Sequence, residues 1–120
     1  MPPVDRDSAC LWDMLDSARS ACEFSAGVGL DVYQCDRKLQ LAVERAVEII
    51  GEAAGRVSDE FRNAHPEIPW RNMIAQRNVL AHEYGEIKLE RMWLLVTEHL
   101  PALIRDLEKL IPPSPPEPKW

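Results

Sequence analysis

The sequence predicts an all-α domain, a bundle of four to five antiparallel helices. Apolar residues recur at steps of three and four in several long segments, and this spacing gathers side chains on one face of a helix. No segment alternates apolar and polar residues with a period of two over the length of a strand. The chain has 120 residues, 46% of them hydrophobic and 28% charged, which is the size and composition of one globular domain.

The first helix is predicted over residues 8 to about 25, because four apolar residues recur there at steps of four, three and four. They are Leu11, Leu15, Ala18 and Cys22. Asp7 or Ser8 can cap its start. Gly27 and Gly29 end it, since glycines so close together weaken a helix and permit left-handed backbone.

A second helix is predicted to begin near Asp36, because apolar residues then alternate steps of four and three, as in a bundle seam. They are Leu39, Val43, Val47, Ile50, Ala54 and Val57. Gly51 and Gly55 lie four residues apart on this segment. Small residues at that spacing either let another helix come close or are merely tolerated at a polar flank, and the sequence leaves both interpretations open.

A short helical turn is predicted after Ser58, which has the side chain of an N-cap. Pro66 and Pro69 then break the regular structure, because proline cannot donate a backbone hydrogen bond. A further helix is expected to begin at Pro69 or Trp70, since proline is favoured in a first turn. Its inward-facing residues are predicted to be Met73, Ile74 and Leu80.

The last helical segment is predicted from an apolar stripe that again alternates steps of four and three. The stripe is Leu89, Trp93, Val96, Leu100, Leu103, Leu107 and Leu110. Pro101 lies inside it, so the helix must kink or restart there. These patterns divide the chain into an N-terminal extension at residues 1–7, the helical domain at 8–111, and a proline-rich tail at 112–120.

Charge and cysteine usage limit the class of protein. The formal net charge of -6 disfavours a nonspecific binder that wraps nucleic acid, because such binding neutralises many phosphates. The three cysteines, Cys10, Cys22 and Cys35, suggest neither a disulfide framework nor a metal site. We expect no cofactor and no membrane segment, and a cytoplasmic location with reduced thiols. Residues 62–82 nevertheless carry three arginines against Glu67 alone, a local excess of positive charge.

A polar cluster interrupts the apolar pattern at residues 77–84. Arg77, Asn78, His82 and Tyr84 fall within eight positions near a predicted helix end. Asn78 and His82 share a face, whereas Arg77 and His82 lie about 140° apart on an ideal helix. The last two can converge if the arginine bends round, if the helix unwinds as Gly85 approaches, or if a two-fold partner supplies the missing group.

The spacing Arg-x4-His-x-Tyr of this cluster resembles the signature of HepT toxins, members of the HEPN superfamily. Three further blocks resemble the same family in the same order, at residues 42–45, 48–53 and 65–70. The resemblance covers about residues 8–111. It implies a helical bundle of HEPN type that forms a homodimer through the helices carrying the motif.

The resemblance further implies a metal-independent endoribonuclease, the toxin of a toxin–antitoxin pair. Its antitoxin would be a MntA-type nucleotidyltransferase that modifies Tyr84 with AMP and can build a larger complex with the dimer. RNA cleavage without metal can use the 2′-hydroxyl of the substrate as nucleophile. Histidine can move the protons and arginine can stabilise the phosphorane, so we assign these roles to His82 and Arg77. Asn78 is expected to orient His82 or a phosphate. Messenger RNA and a transfer RNA end both suit this chemistry.

Other interpretations remain open at this level. Arg77 could form an ion pair with Glu44 or Glu48, and Tyr84 could be a core tyrosine. The chain could also be a noncatalytic HEPN antitoxin or a nucleotide-binding adaptor of a nucleotidyltransferase, or a purely structural helical dimer. The presence of both Arg77 and His82 favours the enzyme, because an adaptor could lose either without cost.

Overall fold

A computed structural model of the chain describes the backbone of residues 3–82 and 89–111, and the side chains of residues 6–80 and 89–111. The described part contains helices and turns and no strand, which confirms the all-α class. The helices are α1 (Pro3–Ser25), α2 (Leu30–Cys35), α3 (Arg37–Arg56), α4 (Asp59–Ala64), α5 (Trp70–His82), α6 (Leu89–Leu94) and α7 (Leu100–Glu108), with one π-helical turn (Leu95–His99) between the last two.

Helix α1 begins earlier than its apolar spacing predicts. It starts at Pro3, so the predicted start at Ser8 is wrong, and so is the capping role given to Asp7 or Ser8. The side chain of Asp7 is buried instead and accepts hydrogen bonds from the backbone N–H of Ser58 at 2.9 Å and from its hydroxyl at 2.7 Å. Residues 3–7 therefore continue the first helix, and Asp7 ties it to the turn between α3 and α4.

The connection from α1 to α3 contains a helix that the sequence patterns missed. Gly27 has φ +73, the left-handed conformation that ends α1 as predicted. The six-residue α2 follows, and its Tyr33 is fully buried against Trp93, with ring centroids 5.0 Å apart. So short a helix has no room to show a periodic apolar pattern, because it contains fewer than two turns.

Helix α3 is the central element, since it packs against both α1 and α5. Its predicted start is confirmed, because the side chain of Asp36 accepts a hydrogen bond from the N–H of Leu39 at 3.0 Å. The predicted apolar stripe is buried at Val43, Val47, Ile50, Ala54 and Val57. Leu39 packs against that core from a partly exposed position.

Helix α5 begins at Trp70, as the two prolines before it predict. The loop ahead of it is held by a hydrogen bond of 2.9 Å from the Trp70 indole N–H to the carbonyl of His65. Ser58 caps α4 as predicted, accepting from the N–H of Phe61 at 3.2 Å. Met73 and Leu80 are buried, whereas Ile74 is only partly so.

The last helical segment changes from π-helical to α-helical geometry beside Pro101, where the sequence predicts a kink or a restart. The π-helical turn ends at His99, and α7 begins with Pro101 in its first turn. Proline has no N–H to continue the helical ladder, which accounts for a change of helix type at this point. Three leucines of α7 are buried in the core, and α7 packs against α1. They are Leu100, Leu103 and Leu107.

Candidate functional site

Gly51 sets the distance between α3 and the helix that carries the predicted site. A methyl group added there would lie 2.6 Å from the carbonyl oxygen of Met73 and would also collide with the Cβ of Arg77. The backbones of α3 and α5 therefore approach each other closely beside the Cβ of Arg77. A methyl group at Gly55 would meet nothing within 4 Å. Close packing at the glycine pair is thus confirmed for Gly51 and not for Gly55.

Arg77 is half-buried at this contact, and its guanidinium extends to a neighbour on α5. Its Nη1 donates to the side-chain oxygen of Asn78 at 3.3 Å. Neither predicted acidic partner is paired with it. Glu48 pairs with Arg45, and Glu44 lies 3.8 Å from Arg37. Within the described residues no carboxylate is in ion-pair distance of Arg77, and its guanidinium carries further N–H donors of the kind that bind anions.

Asn78 is exposed beside Arg77. Its carbonyl oxygen is engaged by the guanidinium, which leaves the NH₂ of the amide as a donor pointing away from that bond. The structure thus brings Arg77 and Asn78 together as a group of hydrogen-bond donors. Such a pair fits a phosphate, whose oxygens only accept hydrogen bonds.

His82 is the final residue of α5, and the helix is regular up to it. Its side chain lies outside the described residues, and so does Tyr84. Because α5 is helical through position 82, positions 78 and 82 are one turn apart on the same face. The helix does not unwind ahead of His82, which leaves a bending arginine or a second protomer as routes to convergence. The meeting of Arg77 with His82 stays a prediction.

One side of α5 carries a line of positions whose described residues face solvent. Positions 71, 75, 78 and 82 fall within about 60° of one another around the axis, at about 100° per residue. Arg71, Ala75 and Asn78 are exposed, whereas Trp70 and Met73 on the opposite side are buried. We call positions 71, 75, 78 and 82 the α5 stripe.

A buried polar cluster between α2 and α3 was not found from the sequence. The Tyr33 hydroxyl and one carboxylate oxygen of Glu44 are buried with no hydrogen-bond partner among the described residues. Burial raises the pKa of Glu44, an effect that the nearby Arg37 reduces. Burial and then the charge of Glu44 raise the pKa of Tyr33 to about 12. The ion pair between Arg37 and Glu44 is too long, at 3.8 Å, to satisfy that oxygen.

The described residues contain no group of three or more histidine, cysteine, aspartate and glutamate side chains placed to hold a metal ion. None of the helices in this part of the chain is both long enough and apolar enough to cross a membrane.

Comparison with known proteins identifies the class. Residues 14–110 match the family model described as "Ribonuclease HepT-like", and this span includes the α5 stripe and the whole Arg-x4-His-x-Tyr motif. The chain belongs to this HepT-like family of the HEPN superfamily. The matched span covers α3 and α5, and the contact of these two helices at Gly51 positions Arg77.

Two archaeal relatives match over most of their length. A protein of Thermococcus cleftensis named "Probable ribonuclease HepT" is 39% identical over 100 residues, which is 83% of this chain and 91% of the relative. A Methanocaldococcus jannaschii protein named as a "Putative RNase" is 35% identical over 100 residues, 83% of this chain and 92% of the relative. No solved structure matches the chain.

Proposed function

We propose that this protein is a metal-independent endoribonuclease, the toxin of a toxin–antitoxin pair, with Arg77, His82 and Asn78 as its catalytic residues. The observation that carries the proposal is the placement of Arg77. The Cβ of Arg77 packs against Gly51, and its guanidinium has no carboxylate partner among the described residues. The amide of Asn78 adds hydrogen-bond donors beside that guanidinium. The relatives named as ribonucleases support the same reaction class.

The proposed chemistry is transesterification by the RNA itself. A general base removes the proton of the 2′-hydroxyl, whose oxygen attacks the adjacent phosphorus. The bond from phosphorus to the 5′-oxygen then breaks, and a general acid protonates that oxygen. The products are a 2′,3′-cyclic phosphate and a 5′-hydroxyl. His82 transfers protons, because imidazole titrates near neutral pH. Arg77 and Asn78 stabilise the negative charge that grows on the phosphorane oxygens.

A homodimer gives this chemistry both of its proton-transfer groups. One histidine cannot conveniently act on both sides of the same phosphate, whereas two copies of His82 across a two-fold axis supply a base and an acid. Arg77 and Asn78 also lie outside the linings of two cavities on the described surface, of about 610 and 370 Å³. A second protomer facing α5 would turn that open helix surface into a groove of the kind that substrates occupy.

The activity is tested with purified protein and a long single-stranded RNA in buffer containing EDTA. Wild-type protein should cleave the RNA and leave cyclic phosphate ends, and His82→Ala and Arg77→Ala should each lower the rate at least about 100-fold. Arg105→Ala on α7 removes an exposed arginine elsewhere and should cleave at the wild-type rate. Cleavage by His82→Ala at the wild-type rate would contradict the proposal.

Expression in a bacterial host separates the toxin from the adaptor interpretation. The toxin should arrest growth, and His82→Ala should abolish that arrest. Harmless overexpression without RNA cleavage would favour a noncatalytic HEPN antitoxin or a nucleotide-binding adaptor. The division of roles across a dimer is tested separately by mixing Arg77→Ala with His82→Ala protein. Partial recovery of cleavage in the heterodimer is expected, and no recovery would count against a composite site.

Tyr84 is proposed as the site at which a MntA-type nucleotidyltransferase attaches AMP. An added phosphate would repel the RNA phosphates, and the nucleotide would block access to His82, two residues away. Intact-mass measurement after incubation with the partner and ATP should show one or more AMP additions on wild-type protein and none on Tyr84→Phe. An addition that survives Tyr84→Phe would contradict this assignment.

A further inference from the structure

A second basic feature lies at the opposite end of α5 from the proposed catalytic residues. An open cavity of about 610 Å³ is formed where α4 and the following loop meet the start of α5. Its polar lining includes Arg62 and Asn63 from α4 and Arg71 and Asn72 from α5, and Trp70 contributes an apolar wall. Two segments that are distant in sequence thus combine arginine and asparagine side chains in one depression.

The charge of the cavity is positive in an acidic protein. Asp59 is its only acidic lining residue, and it pairs with Arg62 within α4. Arg71 is exposed and has no carboxylate within ion-pair distance among the described residues. Its guanidinium is a planar set of donors that matches phosphate oxygens. The asparagines offer both donors and acceptors, which suit the hydroxyls and base edges of RNA.

The cavity lies on the same side of α5 as Asn78 and position 82, whereas Arg77 leaves the helix about 120° away around the axis and reaches Asn78 through its guanidinium. Arg71 is the first position of the α5 stripe, and Asn78 and position 82 follow it. At 1.5 Å per residue, Arg71 is about 10 Å from Asn78 and about 16 Å from position 82 along the helix axis. That span equals about five stacked nucleotides at 3.4 Å each. One RNA strand laid along the stripe would reach both ends.

We propose that this cavity is an RNA subsite that holds the strand flanking the cleaved bond, with Arg71 bound to a backbone phosphate. Arg62 adds positive charge, and Asn63 and Asn72 contact sugar hydroxyls or base edges. The inference rests on the proposed ribonuclease function and extends it, because it assigns a preference for substrates several nucleotides longer than the cleaved step. The α5 stripe is then the path of the strand.

The test measures RNA binding without cleavage, in a His82→Ala background. The probes are fluorescein-labelled 2′-O-methyl oligonucleotides of mixed sequence, one of 20 nucleotides and one of 4, read by fluorescence anisotropy. Adding Arg71→Gln should weaken binding of the 20-mer about three- to tenfold. It should also lower the slope of log affinity against log salt concentration by about one, since one phosphate contact is lost. Binding of the 4-mer should stay unchanged.

Arg105→Gln serves as the matched control, because it removes an exposed arginine from α7 and should leave both affinities unchanged. The subsite is overturned if Arg71→Gln binds the 20-mer as tightly as its parent, or if it weakens both probes equally. It is also overturned if a 20-residue polyglutamate peptide binds the protein through Arg71 while the RNA does not. In that case the cavity recognises an acidic peptide.

Kinetics separate failure of this inference from failure of the proposed function. With a long RNA substrate, Arg71→Gln should raise KM and leave kcat unchanged, because the residue is remote from the cleaved bond. Wild-type protein that cleaves RNA, combined with unchanged KM in Arg71→Gln, defeats the subsite alone. Wild-type protein that cleaves no RNA defeats the proposed function, while anisotropy still reports whether Arg71 binds the strand.

Discussion

The two sides of α5 differ in what they contribute. Trp70, Met73 and Leu80 are buried in the core, and they fix the helix against the rest of the bundle. Arg71 and Asn78 are exposed on the opposite side. One short helix thus packs the core with one side and faces solvent with the other, and substitutions on the exposed side should leave the core intact.

Arg77 leaves α5 on the buried side and extends its guanidinium to the exposed side. Its Cβ packs where α3 comes closest, at Gly51, whereas its guanidinium reaches outward to Asn78. A Cβ held by the neighbouring helix and a guanidinium directed outward suit a phosphate-binding residue, since the charge is positioned before the substrate arrives. Substitutions on the two sides of α5 test whether stability and activity separate along this line.

The largest loss of stability is expected on the buried side. Met73→Ala should lower the free energy of unfolding by about 2–4 kcal/mol, because the side chain is 3% exposed and its removal leaves a cavity. Asn78→Ala should change it by less than about 0.5 kcal/mol, because that side chain is exposed. Urea denaturation of both variants measures the difference. Equal losses would show that the two sides of α5 do not differ in this way.

Gly51→Ala tests the contact between α3 and the Cβ of Arg77 on α5. The added methyl group collides with backbone and Cβ atoms of α5, so unfolding free energy should fall by about 1–3 kcal/mol and RNA cleavage should fall with it. Gly55→Ala is the matched control on the same helix. It meets open space and should stabilise the protein by about 0.5–1 kcal/mol, because alanine is the better helix former. Equal effects of the two alanines would argue against close packing at Gly51.

Trp70→Phe tests how the start of α5 is held. The variant loses the hydrogen bond to the His65 carbonyl and part of a buried ring, and should be less stable by about 1–2 kcal/mol. Thermal unfolding followed by circular dichroism measures this change. Arg71→Gln, at the next position but exposed, should melt within a degree or two of wild type. A larger shift in Arg71→Gln than in Trp70→Phe would reverse the assignment of the two sides.

A small effect of pH on stability is expected from Glu44, whose carboxylate is partly buried between α2 and α3. The pKa of Glu44 is raised in the folded protein, so the folded state holds this proton more tightly than the unfolded state does. Stability should therefore fall as pH rises from about 4.5 through the raised pKa. Glu44→Gln should show a shallower fall over that window. Urea denaturation from pH 4 to pH 7 checks this, and identical slopes would contradict it.

Local signals predicted much of the fold. Asp36 and Ser58 each cap the helix that follows by accepting a hydrogen bond from the N–H three residues ahead, so their roles are visible in a short stretch of sequence. The bond between Asp7 and Ser58 joins residues 51 positions apart, and no local pattern reveals it. The four-residue spacing of Gly51 and Gly55 does not distinguish the two glycines, and only the position of α5 decides which of them is a close contact.

The candidate site likewise contains residues that the local sequence indicates and contacts that only the fold creates. The density of polar residues indicated Arg77 and Asn78, and the structure joins them by a hydrogen bond. Their meeting with His82 depends on side chains or protomers brought together in space, and stays a prediction. The cavity with Arg62 and Arg71 was not predicted as a site, because its lining comes from two segments that a loop brings together.

The central claim is that RNA lies along the exposed side of α5. Its most direct test is a map of backbone amide chemical shifts in ¹⁵N-labelled His82→Ala protein as a 2′-O-methyl 20-mer is added. The account predicts the largest changes at Arg71, Asn72, Ala75 and Asn78, with the exposed surface of α1 around Arg19 unchanged. The largest changes on α1 or α7, with α5 unaffected, would contradict it.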